Sequence, residues 1–144
     1  MTVEVSQVRN RLRRAIDGAR EHSQQRRQRV AEAERAYKAF LDEVATPLVR
    51  QVANALKVEG YAFTVFTPGG GLRLASDRGR DDYLEFALDD TGDVPQVVAR
   101  ISRSRGSRTL DEERPIKPGV APDGITDDEL LEFLLDALEP WLEK

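Results

Sequence analysis

Six aspartates stand in adjacent pairs, Asp81-Asp82, Asp89-Asp90 and Asp127-Asp128, and paired carboxylates are a common means of sharing a proton or gripping a divalent cation. Adjacent side chains diverge in a strand or a turn, so no pair aims both carboxylates at one atom. Each pair also lies where a turn or a helix cap uses Asp. The run Pro68-Gly69-Gly70-Gly71 is the second candidate, because glycine-rich loops cradle phosphates with backbone N–H groups. Nucleotide-binding versions join a strand to a helix, and one of them ends in Lys-Ser or Lys-Thr. This run ends in Leu72-Arg73 between two strand-like stretches, so a hairpin turn is expected. His22 is the only histidine, it lies among Ser23, Gln24 and Gln25, and there is no cysteine. That excludes disulfides and thiolate chemistry, and leaves no basis for a Ser-His-Asp or Cys-His arrangement or for a zinc site. The expectation is a non-enzyme with no catalytic residue, no metal ligand and no cofactor.

Arginine is the remaining chemical signal, at eighteen of the twenty-two basic residues. One group, Arg9, Arg11, Arg13, Arg14, Arg20, Arg26, Arg27 and Arg29, lies in the first quarter of the chain, and a second, Arg100, Arg103, Arg105 and Arg108, lies near one turn. The candidate contacts to an anion or a nucleic-acid backbone are Arg9, Arg13, Arg20, Arg26, Arg27, Arg103, Arg105 and Arg108, since guanidinium groups bind phosphate well. Few aromatic residues are placed to stack bases. Glu21, Glu32 and Glu34 dilute the first group through i,i+4 pairing.

The element that carries the first arginine group is a long helix. Val5, Val8, Leu12, Ile16 and Ala19 step by three or four, and after the polar interval 21–29 the residues Val30, Ala33, Tyr37, Phe40 and Val44 step the same way. That is close to a coiled-coil seam. A continuous helix over 3–44 would be roughly 60 Å long, so part of its seam needs a partner, and a second copy of the chain is the simplest one. The expected oligomer interface is Val5, Val8, Leu12, Ile16, Val30, Tyr37, Phe40 and Val44. A helical hairpin folded back in the interval 21–29 is the alternative, although no Gly or Pro marks a turn there.

Thr46-Pro47 predicts a break or kink near Pro47, followed by a second helix over 48–58 that stops at Gly60. From Tyr61 the period changes to two. Strands are expected at 61–66, 72–76, 83–88, 94–103 and 108–114, joined by short turns, and short turns between neighbours make an antiparallel meander. The polar fifth strand suits an edge. Pro115 to Gly124 reads as a surface linker, and Thr126-Asp127-Asp128-Glu129 as a capping box that opens a final helix rich in leucine. The fold class is therefore α+β: a long N-terminal helix kinked or broken near Pro47, a five-stranded antiparallel meander, and a C-terminal helix packed on the sheet. Residues 1–45 are expected as an extended helical arm and 46–144 as the globular domain.

Charge is distributed unevenly. Residues 1–40 hold ten basic groups against five acidic and residues 110–144 hold three against eleven, within a net charge of −4. No stretch is apolar enough to span a bilayer and the first twenty residues lack a signal-peptide core, so a cytoplasmic, bacterial-looking protein without membrane contact is expected. The leading expectation is a non-catalytic protein-interaction or adaptor module. It assembles through its first helix as a homodimer and presents its sheet or acidic end to a protein partner. The alternative is a small nucleic-acid-binding dimer with helix arginines on phosphates, since the layout of helix, meander and closing helix resembles that of some nucleoid-associated dimers. A third reading, a small-ligand binder on the sheet face, requires Arg73, Glu85 and Arg100 to come together.

Overall fold

A computed structural model describes residues 2–143 of the chain. Helix α1 spans Val5–Phe40, a π-helical turn spans Leu41–Ala45, and α2 spans Thr46–Val58. The helical backbone does not break at Pro47. Proline at 47 has no N–H to give and its ring crowds the carbonyl one turn back. The π turn before it opens the ladder to i→i−5 spacing, with the Thr46 N–H donating to the Leu41 carbonyl, so the kink is set at 41–45 and Pro47 falls in the first turn of α2. Glu59 N–H closes α2, and Gly60 supplies the positive φ of 92° that turns the chain toward the sheet.

Five strands follow, β1 Phe63–Phe66, β2 Leu72–Ser76, β3 Tyr83–Asp89, β4 Gln96–Arg105 and β5 Arg108–Pro115. They pair in sequence order and antiparallel throughout, as short connections require. The glycine run is the β1–β2 turn, with the Gly71 N–H donating to the Pro68 carbonyl at 2.8 Å. Helix α3, Asp127–Leu142, opens on the expected capping box: the Glu129 N–H donates to Thr126 Oγ1 and the Thr126 N–H donates to Glu129 Oε1.

The chain divides into two compact units, Met1–Glu32 and Ala33–Lys144. The division lies earlier than residue 45 because Phe40, Leu41 and Ala45 are buried core residues of the second unit. Alternation along the strands sends Leu72, Leu74, Leu84, Phe86, Val97, Ala99 and Ile101 to one face of the sheet. That face meets Phe40, Leu41, Val49, Val52 and Ala53 from the helices before the sheet, and Leu130, Leu134, Ala137 and Leu138 from α3. Burying a leucine-sized side chain contributes about 1.5–3 kcal/mol, so these residues dominate the stability of the unit. Polar contacts at the rim fix α3: Arg114 on β5 donates to Asp136 at 3.0 Å, and Tyr61 Oη donates to the Leu142 carbonyl at 3.3 Å.

Candidate functional site

The first unit is a stretch of α1 whose apolar stripe is open. Val5 is 74% exposed, Val8 50%, Leu12 58% and Ile16 42%, values at which each side chain gains little from the folded chain. Gaps of three, four and four residues place the four on one side of the helix. The second half of the expected seam behaves differently. Val30 is half-buried, Ala33 is buried, Phe40 lies in the core, and Tyr37 and Val44 pack against that core. Tyr37, Phe40 and Val44 thus cover the sheet of their own unit, and the surface free for a partner contracts to Val5–Ile16.

The arginine groups separate. Arg9, Arg13, Arg20, Arg26 and Arg27 are exposed along α1, and Arg27 donates to Ser23 Oγ one turn earlier. Arg103, Arg105 and Arg108 belong to the β4–β5 hairpin, where Arg105 and Arg108 are direct cross-strand partners beside the turn at Gly106. Like charges placed opposite repel, so this tip is held by its backbone ladder.

Arg73, Glu85 and Arg100 do come together. Glu85 is the cross-strand partner of Arg73 on one side and of Arg100 on the other, and Arg100 is paired in turn with Glu113. The Arg73–Glu85 ion pair is 3.1 Å and Arg100–Glu113 is 3.4 Å, which makes a row of alternating charge across β2 to β5 on the face away from the core. The Arg73 guanidinium also lies 4.2 Å from the centre of the Tyr83 ring. The Arg100 side chain is 61% exposed, so the row is a solvated cross-strand ladder and each charge has an opposite neighbour.

Beside this ladder is a groove that inspection of the sequence did not single out. Its volume is about 690 Å³, and Phe66, Pro68, Arg73, Ala75, Ser76, Asp77, Arg78, Gly79 and Arg80 line it. Phe66 and Arg73 are direct cross-strand partners, and Ala75, two residues along from Arg73, leaves the sheet surface low beside them. The loop between β2 and β3 forms the far wall. Asp82 anchors that loop, accepting from the Ser104 N–H at 2.8 Å and from Trp141 Nε1 at 3.2 Å. Asp77 accepts from Thr64 Oγ1 at 2.7 Å. The available signals were an aromatic residue, Phe66, on the solvent side of an edge strand, and two arginines in the six-residue loop 77–82.

Each aspartate pair has at least one member in a structural position. Asp82 holds the β2–β3 loop, Asp89 accepts from the backbone and side chain of Thr91 in the next turn, and Asp127 and Asp128 begin α3. The hydrogen bonds from Thr91 hold the Asp89 carboxyl below its ordinary pKa. Lys117 contacts Glu129 at 2.6 Å, and that hydrogen bond, with the backbone N–H of Thr126, brings the Glu129 pKa down to about 2. Among the described residues no three His, Cys, Asp or Glu side chains gather into a cluster that would hold a metal ion. No helix among them is long and apolar enough to cross a membrane. Comparison of the chain with protein-family models, with curated proteins and with solved structures finds no match in any of the three.

Proposed function

We propose that this chain is a non-catalytic interaction protein that self-associates as a homodimer through Val5, Val8, Leu12 and Ile16 of α1 and offers its α+β unit to a protein partner. The observation that carries the reading is the exposure of all four residues, 42–74%, on one side of a helix. A stretch of helix with so little tertiary packing is marginal in water, and helical stability in proteins comes mainly from an apolar face being covered. A second copy presents the same stripe, so a two-fold pairing covers both at once. One carboxylate of each of two aspartate pairs, Asp82 and Asp89, is engaged as a loop anchor or turn cap, and Asp127 and Asp128 lie in the first turn of α3, which supports the non-catalytic part.

Sedimentation equilibrium across the micromolar range tests this. A species of twice the chain mass supports the proposal, and a monomer that persists on concentration removes it.

A second reading is favoured by one observation: among the described residues, none of the α1 arginines is within ion-pair distance of a carboxylate. Uncompensated arginines along a helix suit a nucleic-acid backbone. Binding to duplex DNA or RNA that weakens steeply with added salt supports it, and a flat titration at low salt excludes it.

A further inference from the structure

We infer that the groove between β1 and the β2–β3 loop is a binding site for a nucleotide unit, with the base stacked on Phe66 and the phosphate held by Arg78 and Arg80. The groove lies wholly within the second unit, and the inference stands on observations separate from those behind self-association. Its volume of about 690 Å³ falls in the range of small-molecule sites, which run from ~300 to ~1,000 Å³.

Four features select the ligand class. Phe66 is 50% exposed on a short edge strand, which leaves a large apolar ring in water; a planar partner laid on it removes that surface. Arg78 and Arg80 have no carboxylate within ion-pair distance among the described residues, so two guanidinium groups are free for an anion. Arg73 is fixed by Glu85 and by the Tyr83 ring, so its guanidinium is a pre-positioned part of the groove lining. Finally, the acids nearby are held by other groups or lie outside the lining. Asp77 is the one carboxylate in it and accepts from Thr64, Asp82 accepts from Ser104 and Trp141, Glu85 pairs with Arg73, and Asp81 is exposed outside it. Arg78 and Arg80 are thus the two lining cations without an ion-pair partner.

The loop that carries Arg78 and Arg80 is held in advance. A Cβ added at Gly79 would come within 2.7 Å of Asp82 Oδ2, and the Asp82 carboxylate is not free to move, because Ser104 and Trp141 hold its other oxygen. A loop fixed before binding loses less conformational freedom on binding. The shared chemistry, a phosphate one sugar away from a planar base, occurs both in a free nucleotide and in single-stranded nucleic acid.

Titration of the full-length chain with adenosine 5′-monophosphate, adenosine, inorganic phosphate and a short oligo(dA), followed by backbone amide chemical shifts, tests the inference. Saturable shifts at Phe66, Arg73 and 77–80 are expected with the monophosphate and the oligonucleotide, with adenosine and phosphate each binding more weakly. A tighter oligonucleotide assigns the site to single strands, equal affinities assign it to free nucleotides, and both support it. Phe66→Ala and the double variant Arg78→Ala, Arg80→Ala should each weaken binding about tenfold or more. Arg80→Glu should abolish it, with the melting curve unchanged because the residue is exposed. Leu12→Asp should leave it intact, which separates this test from that of self-association. Absence of saturable shifts with either nucleotide, or affinity that these variants do not change, overturns the inference.

Discussion

Asp82 and Trp141 meet across 59 residues of sequence, with the indole Nε1–H donating to Asp82 Oδ1 at 3.2 Å. The same oxygen accepts from the Ser104 N–H at 2.8 Å, so one carboxylate ties the β2–β3 loop to β4 and to the last turn of α3. Trp141 also packs edge-on against Phe63 of β1, with ring centres 6.1 Å apart. Asp82→Ala removes the acceptor of two donors, of which the exposed Ser104 N–H can turn to water and the part-buried Trp141 N–H cannot, and is expected to destabilise the second unit by about 1–2 kcal/mol, whereas Trp141→Phe keeps a ring there and loses one hydrogen bond, about 1 kcal/mol. Urea midpoints measure both. An Asp82→Ala midpoint equal to that of the parent would show that the anchor carries no stability.

Tyr37 is half-buried, and its hydroxyl is enclosed without a hydrogen-bond partner. Burial is the main cause that pushes its pKa from 10.0 up to about 12; the Glu85 charge adds to the rise and Arg100 opposes it. The folded state thus holds its proton longer than the unfolded state does. Stability is expected to be unaffected by this group below pH 10 and to fall as pH rises from about 10 to about 12. Tyr37→Phe should remove that part of the alkaline loss and be neutral or slightly stabilising at neutral pH, because it deletes an unsatisfied polar atom. Denaturant midpoints against pH for the two proteins decide it; identical alkaline limbs would contradict the assignment.

Glu129 has the opposite sign. Its pKa is lowered, first by the hydrogen bond from Lys117 and then by the backbone N–H of Thr126, to about 2 from an ordinary 4.5. Its contribution is therefore present above pH 4.5 and is lost as pH falls toward 2. Glu129→Gln should differ from the parent at neutral pH and converge with it in acid. Thr126→Ala, which removes the N-cap oxygen, should cost about 1 kcal/mol at neutral pH. A Glu129→Gln difference that is constant across the acid range would remove the link to titration.

Neighbouring leucines of α3 have different environments, since Leu134 is fully buried and Leu135 is 54% exposed. Leu134→Ala should cost about 2–5 kcal/mol through lost contacts and a cavity. Leu135→Ala should stay within about 0.5 kcal/mol. Comparable losses at both positions would mean that Leu135 is covered in solution, and would point to a second apolar contact surface.

Most of the architecture was legible because periodicity is a local signal. The alternation Leu84, Phe86, Leu88 and Val97, Ala99, Ile101 assigns a sheet face without knowledge of what covers it, and Thr126 to Glu129 specifies a helix start by itself. The division of the helical segment was not legible. Leu12 and Phe40 have the same spacing and similar apolar character, but one is 58% exposed and the other 3%, because only the residues beyond 32 belong to the unit that contains the sheet. The kink expected near Pro47 is present, but its form, a π turn over Leu41–Ala45, was not legible, because no residue type marks a π turn. The groove was hidden for a similar reason. Alternation places Phe66 on the face opposite Phe63, which packs against Trp141, but the loop that sets Arg78 and Arg80 beside it carries no local signal.

The central claim is that the Val5–Ile16 stripe joins two copies. Sedimentation equilibrium of the full chain beside Leu12→Asp tests it most directly, with circular dichroism to confirm that the sheet unit remains folded. A species of twice the 16.2 kDa chain mass is expected for the parent, and 16.2 kDa for the folded variant. A parent that sediments as a monomer throughout the micromolar range, or a Leu12→Asp protein that remains dimeric, would contradict it.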